Sequence, residues 1–249
     1  MEKINIQKII LAKKQKRKIA MLTAYDYPFA RILDDAGVDI ILVGDSLGNV
    51  ILGYENTLPV TMQEMLHHLK AVRRGVEKAV LVADFPLAGF KNAFVNVKQL
   101  IKAGADAVKI EGVNNLALIK RCKTAGIPIM GHIGFTPQDI KKFGGARMQG
   151  KEPKDVKRLV EEAKMLQQAG VFALVIELTT PEASKQITKA VSIPTISCGA
   201  GSNCDGQVLV SYDLLGLTQG AKPRFAKQLV NFSDLAKKAV KKYVKDVRK

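Results

Sequence analysis

The chain has 249 residues, of which 47% are hydrophobic, so it can bury one large core and leaves little room for a second full domain. No apolar run approaches the roughly 18 residues that a membrane span needs. The first residues lack the pattern of a signal peptide, so we expect none. Three cysteines without a CxxC pair argue against a disulfide framework or a thiolate zinc site. We therefore expect one cytoplasmic domain that has no membrane partner.

The net charge of +16 comes from 39 lysines and arginines against 23 acidic residues. Such a balance can indicate nucleic-acid binding. Here the basic residues are spread over predicted helices and concentrated near the two ends, at 13–18 and 237–249, without interleaved aromatic residues. We expect a solvated basic surface and no nucleic-acid partner.

One sequence unit recurs along the chain: Ala-Gly, a short apolar run, and then a polar or acidic residue. Clear copies begin at Ala36, Ala103, Ala125 and Ala169. Glycine commonly ends a helix in the left-handed conformation, and a continuous apolar run is typical of a parallel strand covered on both faces. Repetition of helix and strand predicts parallel βαβ units.

Taken in chain order, the apolar runs predict eight strands. They cover 18–24, 39–44, 79–84, 107–111, 128–133, 173–178, 194–198 and 207–212. Eight such units in a chain of this length favour an α/β fold of the (β/α)₈ TIM-barrel type, which typically takes about 250 residues, in a single domain over 1–249. An open doubly wound sheet is less favoured, because no G-x-G-x-x-G follows the first strand.

Between the strands, helix signals mark several boundaries. Thr61 and Glu64 form a candidate capping box, and Pro153 suits the first turn of a helix that Gly170 ends. A basic segment, 1–17, precedes the first strand. A last helix is predicted over about 233–248, capped by Ser233. Its apolar side chains are expected to face inward; they are Leu235, Ala239, Val240, Tyr243 and Val247.

Polar residues at the ends of the predicted strands are the strongest functional signal. Asp45, Asp84, Glu111, His132 and Glu177 come at the carboxyl ends of strands two to six. In a parallel barrel these ends share the face where active sites lie. A single acid there is commonly a helix cap, but four acids on one rim repel each other unless a cation or proton intervenes. An oxygen-rich cluster predicts Mg²⁺ or a similar divalent cation.

Two further polar residues leave alternatives open. Lys109 precedes Glu111 by two positions and should point the same way. It either binds a substrate carboxylate or pairs with a neighbouring acid. His132 is either a ligand contact or a satisfied core histidine, whereas His67 and His68, in mid-helix, are expected to be structural.

Five segments resemble the family of ketopantoate hydroxymethyltransferase, also called 3-methyl-2-oxobutanoate hydroxymethyltransferase. They are LTAYDYPFA (22–30), LVGDSLGNVILGYENTLPVTMQEM (42–65), AVKIEG (107–112), GHIGFTPQ (131–138) and CDGQVLVSYDLLGL (204–217). The resemblance implies transfer of a hydroxymethyl group from 5,10-methylenetetrahydrofolate to α-ketoisovalerate. The product would be ketopantoate, for pantothenate and coenzyme A biosynthesis.

The resemblance also implies residue roles. The metal acids correspond to Asp45, Asp84 and Glu111, and the proton acceptor corresponds to Glu177. The ketoacid contacts correspond to Asp45, Ser46, Asp84 and Lys109, with His132 beside them on the active-site face. A homo-oligomer, often a decamer, is typical of the family.

The chain departs from the family pattern in three places. Where the family usually has Pro-Phe-x-Ser-Tyr, this chain has PLAGF at 86–90; where Cys-Val-Pro usually follows the base, it has Leu178, Thr179 and Thr180 before Pro181. The glycine pair at 144–145 precedes Ala146 rather than tyrosine. These changes bear on rate, folate affinity and loop closure more than on reaction type.

Two other functions compete with this one. Mg²⁺-dependent C–C lyases and mutases of the isocitrate lyase type also use acids at strand ends, but the chain has no KKCGH-like catalytic loop. A non-catalytic basic binding protein is the second alternative. The full set of acids at the strand ends argues against a non-catalytic protein.

Overall fold

The computed structural model describes residues 3–139, 144–145, 147–219, 223 and 225–249. Its centre is a closed barrel of eight strands that pair in chain order, with the last strand pairing with the first. Every pairing is parallel. The strands are β1 (Ile19–Thr23), β2 (Ile40–Val43), β3 (Val80–Asp84), β4 (Ala107–Glu111), β5 (Ile129–Gly134), β6 (Ala173–Glu177), β7 (Thr195–Cys198) and β8 (Gly206–Leu209). The predicted single-domain (β/α)₈ fold is confirmed.

Helices alternate with the strands along the described chain. They are α1 (Ile6–Lys14), α2 (Tyr27–Asp35), α3 (Leu47–Val50), α4 (Met62–Gly75), α5 (Ala93–Lys102), α6 (Leu116–Thr124), α7 (Pro153–Ala169), α8 (Pro181–Ala190), α9 (Ser211–Leu215) and α10 (Phe232–Val247). Short 3₁₀ turns cover Leu87–Asn92 and Pro137–Asp139. None of the described helices combines the length and the apolar character that crossing a membrane requires.

Local signals account for several of these boundaries. Thr61 and Glu64 form the predicted capping box at the start of α4, because each side chain binds the other residue's backbone N–H. Pro153 occupies the first turn of α7, where the missing N–H costs nothing. Gly170 ends α7 at φ 103°, a left-handed conformation that favours glycine.

The core has two layers. The larger lies between the barrel and its surrounding helices. The smaller fills the barrel interior with inward-facing strand residues such as Ile40, Val80 and Met130. Ile9 and Ala12 of α1 belong to this inner layer and are fully buried. The N-terminal segment, predicted only as basic, therefore also packs an apolar face against the barrel interior.

Two sequence predictions were wrong near the C-terminus. Strand eight ends at Leu209 instead of residue 212, because Ser211 already begins α9. The last helix is capped by Asn231, whose side chain accepts from the Asp234 N–H, and not by Ser233.

The predicted inward face of the last helix was also wrong. No residue of α10 is buried, and Leu235, Val240, Tyr243 and Val247 are between 54% and 69% exposed. The periodicity identified an amphipathic helix correctly, but the barrel of the same chain does not cover its apolar face.

Candidate active site

The predicted polar residues come together at the carboxyl end of the barrel. Asp84, Glu111 and Glu177 are the last residues of β3, β4 and β6, Asp45 follows β2, and His132 lies within β5. All five line one cavity of about 770 Å³. The strand register explains the convergence, since Glu111 pairs with His132 in the neighbouring strand.

Lys109 and Asp84 form a buried ion pair on adjacent strands. Their register positions match, and Lys109 Nζ lies 2.7 Å from Asp84 Oδ1. Burial lowers the pKa of the lysine, but the nearby carboxylates of Asp84, Glu111 and Asp45 outweigh burial and raise it above its ordinary value. Lys109 is therefore a fixed cation. The acid pairing left open by the sequence is present, and the same ammonium also faces the cavity.

His132 lies between two carboxylates. Its Nδ1 is 3.4 Å from Glu111 Oε1, and its Nε2 is 3.2 Å from Glu177 Oε2. Burial and Lys109 lower the imidazole pKa, but Glu111 and Glu177 outweigh them and raise it to about 9. Burial by itself would raise the pKa of Glu111, whereas His132 and Lys109 bring it below its ordinary value. The buried ring thus lies between the two acids, and their charges favour its protonated form.

Asp45 stands out because its side chain accepts no hydrogen bond from the described residues, although it is only 6% exposed. Its backbone N–H donates instead to Asp84 Oδ2, at 2.9 Å. Burial and the neighbouring Asp84, Glu111 and Glu177 raise the Asp45 pKa well above its usual range. This carboxylate needs a proton or a cation for its compensation.

The donor set fits a divalent cation of the hard type. Mg²⁺ is commonly bound through one or two carboxylates and keeps water and substrate oxygens as its other ligands. Asp45 supplies a free carboxylate. Asp84 lies beside it, with Oδ1 paired to Lys109 and Oδ2 accepting from the Asp45 N–H. Both oxygens of Glu111 are already engaged, by His132 and by the Gln138 N–H. Within the described part of the chain, no three acidic, imidazole or thiol groups form a ready-made chelating cage.

Three residues around the cavity were not assigned a role from the sequence. Tyr25 is buried, and its hydroxyl lies 2.8 Å from Ser46 Oγ, which fixes the orientation of that hydroxyl. Cys198 ends β7 beside Glu177. Burial, with a contribution from Glu177, raises the Cys198 pKa, which keeps this thiol neutral. Asp213 in α9 also lines the cavity. The LTAYDY and VSYDLL segments carry two of these residues, but no spacing rule identified them.

The departures from the family pattern affect segments that support the site. Residues 86–90 enter a 3₁₀ turn, in which Phe90 packs edge-to-face on Phe85 at 4.8 Å. After Glu177, Leu178 takes a left-handed φ of 44°, and Thr180 caps α8 with Pro181 in its first turn. Ala146 lies outside the described residues. His68, predicted to be structural, contacts the Tyr25 carbonyl oxygen through Nδ1 at 2.7 Å.

A closed parallel barrel with an acid cluster at its carboxyl end defines an enzyme of the (β/α)₈ class. Solved structures with the same fold include a phosphonopyruvate hydrolase complex with oxalate and Mg²⁺, at a TM-score of 0.64 and 16% identity over 98% of this chain and 87% of that one. A 2,3-dimethylmalate lyase is similar at a TM-score of 0.63 and 13% identity, with coverage of 98% and 87%. At these identities the likeness shows the fold alone.

The sequence comparisons are more specific. The family profile of ketopantoate hydroxymethyltransferase matches residues 3–249. The 3-methyl-2-oxobutanoate hydroxymethyltransferase of Thermosipho melanesiensis is 51% identical over 98% of this chain and 94% of its own. The protein of the same name from Thermotoga maritima is 49% identical, over 99% and 93%. The chain belongs to the ketopantoate hydroxymethyltransferase family.

Proposed function

We propose that this protein transfers a hydroxymethyl group from 5,10-methylenetetrahydrofolate to 3-methyl-2-oxobutanoate, forming 2-dehydropantoate for pantothenate and coenzyme A biosynthesis. Membership of the family over residues 3–249 supports the reaction. The observation that carries the assignment of residues is the convergence of acids, a lysine and a histidine on one cavity. The cytoplasmic location predicted from the sequence belongs to this proposal.

Glu177 is the base in this proposal. It ends β6, its side chain is 19% exposed, and it lines the cavity, so a substrate carbon can approach its carboxylate. His132 Nε2 lies 3.2 Å from Glu177 Oε2. The carboxylate takes the proton from C3 of the ketoacid. Water cleaves the methylene bridge of the cosubstrate into tetrahydrofolate and a formaldehyde equivalent, and the C3 nucleophile adds to that carbon. The oxygen on that carbon then takes the proton back from Glu177 and becomes the hydroxyl group of the product.

Asp45, Ser46, Asp84 and Lys109 bind the ketoacid. Lys109 supplies a fixed positive charge for the substrate's negative oxygens, and Asp84 holds that ammonium in place. Ser46 offers a hydroxyl that Tyr25 has already oriented. Because these groups are positioned before substrate arrives, little reorganisation is needed during the reaction.

Asp45 and Asp84 are the residues that would hold a divalent cation such as Mg²⁺, and Glu111 would contribute directly or through water. When bound, such a cation supplies positive charge beside the keto and carboxylate oxygens of the substrate, which makes the C3 proton more acidic. The uncompensated Asp45 carboxylate supports this site, since its pKa is raised by burial and by neighbouring acids.

We also propose that the protein forms a homo-oligomer, with a decamer as the expected form. The family resemblance suggests the assembly, and the exposed apolar face of α10 supports it. On the barrel flank between β8 and β1, Ala20 and Gln207 are exposed as well. A second copy of this chain is the partner that we assign to these surfaces.

The test of the reaction is proton exchange at C3. The protein is incubated with 3-methyl-2-oxobutanoate and Mg²⁺ in D₂O without folate, and the C3 proton signal is followed by NMR. We expect exchange that requires the metal and is lost in Glu177→Gln. The exposed Glu182→Gln is the matched control and should exchange normally.

Two outcomes would contradict the proposal. A folded, metal-loaded protein that gives no exchange would exclude the enolisation step and favour a lyase or a non-catalytic protein. Exchange that persists in Glu177→Gln would show that Glu177 is not the base. Formation of 2-dehydropantoate after addition of 5,10-methylenetetrahydrofolate tests the second step.

A further inference from the structure

The cavity is larger than the small ketoacid requires. Its volume of about 770 Å³ lies in the range of roughly 300–1,000 Å³ typical of drug-sized ligands. The acid cluster occupies one part. The remainder is lined by residues of 49–57, between β2 and α4, and by residues of 208–219, around α9. This second part is where a larger cosubstrate has room to bind.

Apart from the acid cluster and the Lys109 and His132 within it, the charged side chains among the described lining residues are Glu55 and Asp213. Glu55 is exposed, whereas Asp213 is only 4% exposed. Asp213 Oδ1 accepts a hydrogen bond of 2.6 Å from the Thr218 hydroxyl, and Oδ2 accepts none from the described residues. No described lysine, arginine or histidine pairs with it either. A buried carboxylate in this situation retains strong acceptor capacity directed at a ligand.

Asp213 is also rigidly placed. It belongs to α9, and the N–H of Ser211, two residues earlier, donates to Thr23 Oγ1 of β1 at 3.0 Å. Its own N–H donates to the Val210 carbonyl oxygen at 3.0 Å. Ser211 is fully buried, so the start of this short helix is anchored to the barrel. A carboxylate held in this way can select a ligand by the direction of its donors.

We propose that Asp213 recognises the pterin ring of the tetrahydrofolate cosubstrate, a specificity role that rests on the proposed function. A pterin presents a ring N–H and a 2-amino group side by side. Two adjacent donors of this kind match the two oxygens of one carboxylate. Oδ2 takes one donor, and Oδ1 takes the other on the lone pair that Thr218 leaves unused.

The test compares the protein with Asp213→Asn in the metal-loaded state. The amide oxygen can still accept from Thr218, but the amide nitrogen replaces an acceptor with a donor opposite the pterin. We expect the KM for 5,10-methylenetetrahydrofolate to rise by roughly 10- to 100-fold. The KM for the ketoacid should change far less. Glu182→Gln, which removes an exposed carboxylate that does not line the cavity, is the matched control and should leave both values unchanged.

A modified cosubstrate separates recognition from a merely structural effect. A 5,10-methylenetetrahydrofolate analogue with hydrogen in place of the 2-amino group should be used less well than the normal cosubstrate by the unchanged protein. Asp213→Asn should lose most of this discrimination. Thermal unfolding and C3 exchange establish that the variant is folded.

The outcomes separate the inference from the proposed function. Normal transfer, with unchanged folate KM and unchanged discrimination in Asp213→Asn, would overturn the inference alone. Absence of hydroxymethyl transfer by the unchanged protein would overturn the proposed function and the pterin role together. A variant that is unfolded is replaced by Asp213→Ser, to which the same two comparisons apply.

Discussion

Lys109 Nζ lies 2.7 Å from Asp84 Oδ1, and both side chains are at most 7% exposed. Loss of one partner leaves the other charge buried and unpaired, which typically costs about 3–5 kcal/mol. We therefore expect Lys109→Met to destabilise the metal-free protein by roughly that amount, measured by urea unfolding with a chelator present.

The double variant Lys109→Met/Asp84→Asn provides the comparison for this pair. Because it removes both charges, it should be more stable than Lys109→Met alone. A single variant as stable as the unchanged protein would exclude an important contribution from the ion pair.

His132 gives the metal-free protein a pH-dependent stability. Its pKa of about 9 in the folded protein exceeds the ordinary 6.5, so the folded state binds the proton more tightly than the unfolded chain. The stabilisation is therefore complete below about pH 6.5, declines as the pH rises and is lost above about pH 9. The shift corresponds to roughly 3 kcal/mol.

The measurement compares the unchanged protein with His132→Gln. The difference between their free energies of unfolding should shrink from pH 6 to pH 10, with a chelator present, on the order of the 3 kcal/mol expected from linkage. A difference that stays constant over this interval would show that the ring is not charged in the folded protein.

Gly134 is required for the position of the base. Its φ is +97°, and a Cβ built there would lie 2.2 Å from the carbonyl oxygen of Glu177. Gly134→Ala must therefore displace the end of β6, and a shift of about 1 Å at a reacting group can cost 100-fold in rate. We expect at least a tenfold loss of C3 exchange, measured by NMR, with a lowered melting temperature.

Gly53→Ala is the control for the backbone effect. Gly53 also has a positive φ, of 72°, but a Cβ there would meet nothing within 4 Å. Equal losses in the two variants would attribute the effect to backbone strain alone and not to contact with Glu177.

The exposed face of α10 should govern assembly. Val240 and Tyr243 are 59% and 69% exposed, and glutamate at both positions would oppose burial of this face between copies. We expect Val240→Glu/Tyr243→Glu to lower the mass of the assembly in light scattering coupled to size-exclusion chromatography.

Lys241→Glu is the control for charge, since it changes the net charge by the same −2 from the polar side of the helix. An assembly that is unaffected by the double variant would place the contact between copies elsewhere. Dissociation by both variants would indicate a general effect of charge.

Much of the barrel could be predicted because its signals are local. The Ala-Gly boundaries and apolar runs identified eight strands, and the acids at their ends identified the rim that carries Asp45, Asp84, Glu111 and Glu177. Parallel strands made the next step possible, since their carboxyl ends must share a face.

The remaining features depend on tertiary contacts. Helical periodicity indicates that α10 is amphipathic but not which surface covers it, and the inward orientation was therefore wrong. The Tyr25 hydroxyl meets Ser46 across 21 positions, and Asp213 reaches the cavity only through the closure of β8 onto β1. No spacing within the sequence encodes such meetings.

Helix α1 packs Ile9 and Ala12 into the interior layer of the barrel, at the end opposite the acid cluster. This end of the barrel is therefore filled by side chains, and ligands reach the cavity from the carboxyl end of the strands. If the pterin lies over the ketoacid, the smaller substrate must enter first, and its hydroxymethylated product can leave only after tetrahydrofolate has departed. In the proposed arrangement, the filled end of the barrel would therefore impose a compulsory order on the two-substrate reaction.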